Sequence, residues 1–457
     1  MPDEYLCGVI PKTIAALATA KGLGALHVVR VSGPDALRIA QHVFRITGAW
    51  TPRKALLGVF CSASGEDLDQ GLATWFAGPA SFTGEDVVEF GLHGSSYIAE
   101  EALNALRAAG AELAAPGEFT QRAFANGKLD LAQAEAVGDL IAAESRAGHE
   151  LALKQLKGTV SHKLQELRTR LTDFAALIEL ELDFVEEDVE FAQRDQLLEV
   201  LADISAECET MLSTFRHGRA VRDGIPLVLL GAPNAGKSTL LNRLLRDDRA
   251  LVSAIPGTTR DSVEERFRLG DYVFRLVDTA GIRATEDPVE QMGIARSWTK
   301  LAEAHLALVL VDPTQTNADE AQELYRRVRQ SNPEAECIVL LTKRDLWGSL
   351  EGAGYPEHLA IGPSQDDLAQ LEWLLLETIR RNEPKGNVLI ANARHAAALE
   401  ASLESLKRVR SSLELGISGE LVAYDLRDAL RHLGSITGEV TADDLLGSIF
   451  SSFCIGK

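Results

Sequence analysis

The segment Gly231-Ala232-Pro233-Asn234-Ala235-Gly236-Lys237-Ser238 follows directly on the apolar run Leu227 to Leu230 and leads into a helical pattern over Leu240 to Leu244. A buried strand, a glycine-bearing loop and a helix N-terminus in that order predict a cradle for phosphates. Gly231 and Gly236 let the backbone N–H groups curl around the anion, Lys237 reaches the β/γ oxygens, and the Ser238 hydroxyl can ligate Mg²⁺. The dipole of the helix that follows faces the same charge. Asn234, Ala235, Gly236, Lys237, Ser238 and Thr239 are therefore read as binding a nucleoside triphosphate.

The remaining parts of a phosphoryl-transfer site follow in order. Tyr272 to Val277 reads as an apolar strand ending in Asp278-Thr279-Ala280-Gly281, which offers a carboxylate for the Mg²⁺ shell and a backbone N–H near the γ-phosphate. Between the two lies Gly257-Thr258-Thr259-Arg260-Asp261, preceded by Ser253, Ala254, Ile255 and Pro256, and the Thr259 hydroxyl is placed to become a second Mg²⁺ ligand. A third apolar strand, Cys337 to Leu341, runs into Thr342-Lys343-Arg344-Asp345. The Asp345 carboxylate can accept both N1–H and N2–H₂ of guanine, a donor pair adenine lacks, and Lys343 can lie along the base, so the nucleotide is read as GTP. A glycine turn beside unrelated acidic strand ends would need four ordered elements to coincide. Most GTPases carry Asn where this chain has Thr342; the shorter arm predicts a weaker tie between the base-reading and phosphate loops and weakened guanine affinity. The loop that completes such a pocket is placed at Ile361-Gly362-Pro363-Ser364.

At 457 residues the chain exceeds a usual single core, so two or three domains are expected. Its hydrophobic content of 46% and charged content of 25% are those of a globular protein. No apolar run reaches membrane-spanning length and Met1 to Gly8 carries no export signal, which predicts a cytoplasmic protein with no membrane partner. Cys7, Cys61, Cys208, Cys337 and Cys454 are odd in number and scattered, as reduced thiols are. A formal charge of −21 opposes nonspecific attraction to nucleic acid, so RNA contact would have to use local patches. Candidates are Arg216, Arg219 and Arg222, then Arg380, Arg381 and Lys385, then Lys407, Arg408 and Arg410, each of which also reads as a solvated helix face or linker.

Along the chain, short β-rich segments (Leu26 to Val31, Ala73 to Phe76, Asp86 to Phe90) alternate with helical ones (Pro34 to Val43, Ser96 to Ala109), as in an α+β domain over 1–126. After Asn126-Gly127 the composition turns rich in Ala, Leu and Glu with a helical period through Ala132, Ala136, Leu140 and Ala143. Strand and helix alternation begins near Gly224 and fades after Ile379, and helical periodicity returns from Ala393 to Leu433 and from Asp443 to Phe453. The organisation expected is a helical domain over 127–222 and 382–457 into which an α/β nucleotide domain, 223–381, is inserted. Nucleotide-driven movement would then act on the helices directly.

Three further stretches carry a resemblance: Ser81-Phe82-Thr83-Gly84-Glu85-Asp86-Val87-Val88-Glu89; Pro116-Gly117-Glu118-Phe119-Thr120-Gln121-Arg122-Ala123-Phe124, running on through Gly127 to Ala136; and Phe450-Ser451-Ser452-Phe453-Cys454-Ile455-Gly456-Lys457. With the phosphate loop they resemble the MnmE (TrmE) family of tRNA modification GTPases over nearly the whole chain. The resemblance implies a multidomain α/β and α architecture: an N-terminal α+β folate-binding and dimerisation domain, a discontinuous helical domain, and an inserted P-loop (Ras-like) α/β G domain. It implies a homodimer that joins an FAD-dependent partner, MnmG, in a heterotetramer. The pair would build a carboxymethylaminomethyl or aminomethyl group on C5 of the wobble uridine, U34, of certain tRNAs, with 5-formyl- or methylene-tetrahydrofolate as one-carbon donor. The positions matching the family's folate site are Arg30, Glu89, Lys128 and Lys457, a carboxylate for the donor edge of a pterin and cations for its glutamate tail. The glycine-rich turn before Arg30 reads Lys21 to His27 here, and Ser95 stands where a second glycine is common, departures that bear on how closely backbone approaches folate.

Ile282 stands where Ras-like enzymes place a Gln to orient the attacking water, and an aliphatic side chain cannot do so. The resemblance assigns that role to Glu290, which taken alone reads as an exposed helix-start carboxylate. It also implies a K⁺ ion in place of an arginine finger, held by Asn234, Ser253, Ile255 and Thr258, with Arg260 and Arg283 as competing candidates for the same charge. Cys454 has two readings: a thiolate that adds to C6 of uridine and activates C5, or a small core residue between Phe453 and Ile455. The alternative function is a GTP-switched RNA-binding or ribosome-assembly factor without modification chemistry, which would need an RNA-binding module that the sequence does not display.

Overall fold

The computed structural model describes residues 12–183, 194–245, 250–251, 265–277, 298, 300–348, 354–384, 386, 388–440, 443–451, 453 and 456. Two compact units divide the chain, one of Met1–Gly138, Gln155–Ala176 and Arg427–Lys457, the other of Asp139–Lys154 and Leu177–Leu426. No helix among the described residues is long and apolar enough to cross a membrane.

The first unit is organised by strands β1 (Ile14–Leu17), β2 (Leu26–Ser32), β3 (Phe44–Ile46), β4 (Ala55–Cys61), β5 (Asp67–Phe76), β6 (Val87–His93) and β7 (Glu112–Leu113), in the sheet order β3-β4-β5-β6-β2-β1-β7. Period-two alternation turns Val29 and Val31 of β2 and Val88 and Phe90 of β6 into the core, where they meet Ile39, Ala40, Ala102 and Leu106 of the helices Ala36–Val43 and Ser96–Ala108. Phe44, Phe60 and Phe90 pack there with ring centroids 5.1 to 6.3 Å apart. Each such ring stabilises the fold by about 1.5–3 kcal/mol through burial. The same alternation sends Arg30 and Glu89 to the opposite face, where the β2/β6 register sets them directly across from one another.

Helix Glu118–Ala125 and the start of helix Leu131–Ala142 complete this unit together with the C-terminal helix Asp443–Ser451. Phe450 is buried with Leu131 and Ala134, and its ring lies 6.5 Å from that of Phe124. Gly117, at φ 69°, lies so close to this helix that an added Cβ would stand 2.5 Å from the Phe450 carbonyl oxygen. Gly456 is pressed equally tightly against the end of β1, 2.3 Å from the Leu17 carbonyl by the same measure.

The second unit contains β8 (Ile225–Gly231), β9 (Ala250–Leu251), β10 (Glu265–Leu269), β11 (Tyr272–Leu276), β12 (Leu306–Val311), β13 (Glu336–Leu341) and β14 (His358–Ala360), ordered β14-β13-β12-β8-β11-β10-β9. Strands β14 through β11 pair in parallel, and β10 and β9 add an antiparallel edge. The central strands are continuous apolar runs because both faces are covered. Leu227, Leu229 and Leu308 face one cluster, Val228, Leu230 and Val309 the other. Helices Lys237–Leu244, Ala318–Ser331 and Gln365–Arg381 supply the cover, the second begun by an Asn317/Glu320 capping box and the third by the Ser364 hydroxyl accepting from Asp367 N–H. The helical stretch expected over Ala393 to Leu433 is two helices, Ala393–Glu414 and Gly419–Thr437; Gly416, at φ 66°, provides the left-handed turn that ends the first. Small buried residues Ala398, Ser402 and Ser405 let the first of these pack closely on helix Arg194–Ser213. Among the described residues Cys61, Cys208 and Cys337 form no disulfide, and burial pushes the Cys337 thiol up to about 11.

At the base of this sheet His305 precedes β12, its N–H donating to Pro226 O and its carbonyl accepting from Glu336 N–H. Its ring lies 6.3 Å from that of His217, on helix Phe215–Asp223. Burial, with Arg216 and His217 adding repulsion against the opposing pull of Glu336, lowers His305 to about 4. The neutral ring is thus the form the fold favours, and its contribution is present above pH 6.5 and lost as pH falls toward 4. At pH 5 the loss from this group should reach about 2 kcal/mol. Urea unfolding at pH 7 and pH 5 should show a smaller drop for His305→Asn than for the unmodified chain; equal drops would remove the assignment.

Candidate functional site

β8 ends at Gly231, whose φ of 153° and whose approach to β12, 2.5 Å from an added Cβ to the Leu310 carbonyl oxygen, exclude a side chain. The loop then turns through Asn234 at φ 60°, a left-handed conformation for a non-glycine residue, and Gly236 at φ 94°. Helix Lys237–Leu244 begins without a side-chain cap, so its first turn of N–H groups faces the loop. Lys237 Nζ lies 2.9 Å from Gly231 O and 2.8 Å from Ala232 O, spanning the mouth that a phosphate would enter.

The parallel register of β8, β12 and β13 brings a second loop to the same edge of the sheet. Thr342 N–H donates to Val311 O at 2.8 Å, Lys343 takes φ 58°, and Arg344–Leu346 forms a single 3₁₀ turn. Lys343 Nζ is held 2.6 Å from Asp312 Oδ2, and Asp312, 3% exposed, also accepts from the Thr314 N–H and hydroxyl. Burial opposes ionisation of Asp312, but the Lys343 ammonium and the Thr314 donors outweigh it and hold the carboxyl below its ordinary range. Asp312 follows an apolar run just as Asp278 does, and that run is the sequence signal for it. Trp347 Nε1 donates to Thr342 O at 2.7 Å and closes the turn.

A cavity of about 430 Å³ lies between the two loops, lined among others by Gly236, Thr239, Thr342, Lys343, Asp345 and Ile361. Gly362 and Pro363 border it too, so the loop placed by sequence at Ile361 to Ser364 does reach the pocket. The volume and the lining suit a purine held between a lysine stem and an aliphatic wall with a carboxylate at its edge.

In the first unit, Arg30 Nε and Nη2 both lie 2.8 Å from Glu89 Oε1, and the guanidinium is 5.6 Å from the ring centroids of Phe82 and of Phe119. Lys128 Nζ donates to Pro79 O at 3.0 Å and its stem runs over Gly84, on the loop that carries Phe82. Two of the predicted folate residues are therefore paired with each other, and a third borders the same loop. The motif residues around them form a network: Ser32 Oγ is 2.7 Å from Thr83 Oγ1 and from Glu85 Oε2, Arg122 pairs with Glu85 and Glu118, and Asn126 Nδ2 donates to Thr83 O. Lys457 lies outside the described residues, but Gly456 is seated at Leu17, which faces Val29 beside Arg30.

The family profile described as the MnmE helical domain matches residues 131–454, and that of the GTP-binding protein TrmE N-terminus matches residues 13–128. The chain belongs to the MnmE family of tRNA modification GTPases. Relatives named tRNA modification GTPase MnmE include those of Christiangramia forsetii, 42% identical and covering 97% of this chain and 99% of that protein, and of Porphyromonas gingivalis, 42% identical over 97% and 98%. That of Salinibacter ruber is 41% identical over 97% of this chain and 99% of its own. A solved structure of Aquifex aeolicus Era bound to GDP and AlF₄⁻ is 21% identical over 39% of this chain and 66% of that one, with a TM-score of 0.24, and carries no weight. As a member of the MnmE family the chain is a GTP hydrolase that acts in tRNA modification.

For the family's other predicted residues, Ser253, Ala254, Ile255, Pro256, Gly257, Thr258, Thr259, Asp278, Thr279, Ala280, Gly281, Glu290 and Cys454 lie outside the described residues. β11, which would deliver Asp278, is in place beside β8, with Val277 N–H donating to Leu227 O at 3.0 Å.

Proposed function

We propose that this chain is a K⁺-dependent GTPase that works as a homodimer with an FAD-dependent partner on tRNA. Together they add a carboxymethylaminomethyl or aminomethyl group to C5 of U34, with a tetrahydrofolate as one-carbon donor. The observation that carries the reading is the cavity in which Gly236 and Thr239 of the phosphate loop and its helix face Lys343 and Asp345 of the base-reading loop. Asp345 would accept from N1–H and N2–H₂ of guanine while Lys237, drawn from Gly231 O and Ala232 O, would meet the β/γ oxygens. The domains proposed to share this work are 1–126 for folate and dimerisation, 127–222 with 382–457 as the helical domain, and 223–381 as the G domain.

Ser238, in the first turn of an uncapped helix, suits Mg²⁺ as a hydroxyl ligand, with Thr259 as its companion and Asp278 in the outer shell. Asn234 suits K⁺: its left-handed backbone is a local cost of about 1 kcal/mol that the loop sustains, as expected where strain serves a site. Ser253, Ile255 and Thr258 would complete that shell, and the ion would neutralise charge developing on the β/γ-phosphates. Glu290 would position the attacking water. Arg30, Glu89 and Lys128, with Lys457 after the seated Gly456, would hold the folate, whose chemistry is to supply the carbon. Cys454, two residues before Gly456, would offer its thiolate to C6 of the uridine.

GTP turnover measured in KCl and in NaCl at equal ionic strength should be at least about tenfold faster in KCl, the scale of one lost transition-state charge contact. Equal rates would remove the ion from the account. Nucleoside analysis of tRNA from cells lacking the protein should show the C5-modified wobble uridine gone, and cells carrying Cys454→Ser should match them if the thiolate is required. Intact modification in the deletion would instead favour the GTP-switched RNA-binding reading.

A further inference from the structure

The tie expected between the base-reading and phosphate loops cannot come from Thr342. Its Oγ1 donates to Val311 O at 3.2 Å, the carbonyl its own N–H already uses, so the hydroxyl is turned back into the β12/β13 ladder. Toward the phosphate loop it presents carbon: an added Cβ on Gly236 would lie 3.9 Å from Thr342 Cβ and Cγ2. Gly236 has no such atom, so what faces the phosphate loop across this gap is Thr342 carbon with no directional bond. An Asn amide at this position would have carried the donor across.

A different side chain makes the connection. Arg243, on the helix that follows the phosphate loop, donates from Nη1 to Gly362 O at 2.7 Å and from Nη2 to Ser364 O at 2.5 Å. The two arms of one planar guanidinium therefore hold two carbonyls of the third loop, a geometry no lysine can copy. Its buried Nε has no hydrogen-bond partner among the described residues, which leaves the two carbonyls to offset desolvation of the charge. The same loop is gripped from the other side: Asp367, 7% exposed, accepts from Gly362 N–H at 2.7 Å and from Arg344 Nη1 at 3.1 Å, and Arg344 is the residue before Asp345. Ile361, Gly362 and Pro363 are one wall of the cavity, and Arg243 lines it too.

We propose that Arg243 is the positioning residue that sets guanine specificity in this chain, fixing the third loop to the phosphate-loop helix in place of the asparagine tie that Thr342 cannot make. Arg243 acts through the loop it holds. With that wall fixed relative to the phosphates, a bound purine has one depth at which its edge meets Asp345, and only guanine offers two donors there. With the wall loose, the base can shift and the acceptor at Asp345 discriminates less. The inference rests on the assignment of Asp345 to the guanine edge.

The test is calorimetric titration of the full chain with GDP and with ADP. Arg243→Ala should weaken GDP binding roughly tenfold or more, the scale of losing charge-assisted hydrogen bonds, and should narrow the GDP to ADP ratio. Adding Thr342→Asn to Arg243→Ala should restore most of the loss, whereas Thr342→Asn in the unmodified chain should change little. A purely structural arginine would lower the melting temperature of the nucleotide-free protein and would not be rescued in this way. Should Arg243→Ala fail to fold, Arg243→Lys keeps the charge and stem without the fork, and a loss of the same sign is expected at an unchanged melting temperature. Affinity and ratio equal to those of the unmodified chain in either folded variant, or a double variant as weak as Arg243→Ala, would overturn the proposal. Asp345→Ala separates the two levels: if it leaves the GDP to ADP ratio intact, the underlying assignment fails whatever Arg243 does.

Discussion

The parallel hydrogen-bond register of β8, β12 and β13 is the constraint from which the nucleotide site follows. Gly231 faces Leu310, Leu341 faces Val311, and Thr342 N–H extends the ladder to Val311 O, so the phosphate loop and the base-reading loop leave the sheet at one edge, side by side. Ligands in open α/β sheets gather beyond the carboxyl ends of the strands for this reason. The apolar clusters on both faces hold the register, since a slip by one residue would exchange Leu229 for Val228 and Leu308 for Val309 across the sheet. Two side chains then convert adjacency into a pocket. Asp312 at the end of β12 anchors Lys343, and Arg243 anchors the third loop.

The first unit uses alternation to a similar end. Valines and phenylalanines of β2 and β6 occupy one face, so the opposed charges Arg30 and Glu89 meet on the other, steadied by Phe82 and Phe119. The last helix docks by Phe450 on Gly117, and Gly456, beyond its end, sits on Leu17 of the strand next to Arg30. Glycines stand at both contacts because backbone must touch backbone there. The terminal motif and the Pro116 to Phe124 motif, far apart in sequence, are two sides of one contact.

The phosphate loop was legible because its chemistry depends on spacing within eight consecutive residues, and β8, β11 and β13 were legible because buried parallel strands are written as unbroken apolar runs. β12 has the same signature and ends in Asp312, whose role emerged only once β13 was set beside it. Arg243 could not be read at all, since its partners lie 119 and 121 residues away and are backbone carbonyls without side-chain identity. Thr342 was recognised as irregular, yet how the chain compensates depends on a contact the local pattern does not encode. Arg30, Glu89 and Lys128 came from the resemblance alone; composition marks them only as ordinary surface charges. Gly416 shows the reverse case, where a periodic stretch read as one helical run hides a left-handed turn that separates two.

If GTP turnover in the second unit drives tRNA modification, a chain unable to grip the β/γ-phosphates should be folded and inert on tRNA. The most direct measurement is mass spectrometry of wobble-uridine nucleosides in cells whose only copy carries Lys237→Ala, with the purified variant shown to keep the melting temperature of the unmodified protein. The C5-modified nucleoside should be absent although the protein is present and folded. Modification at the unaltered level in those cells would contradict that dependence.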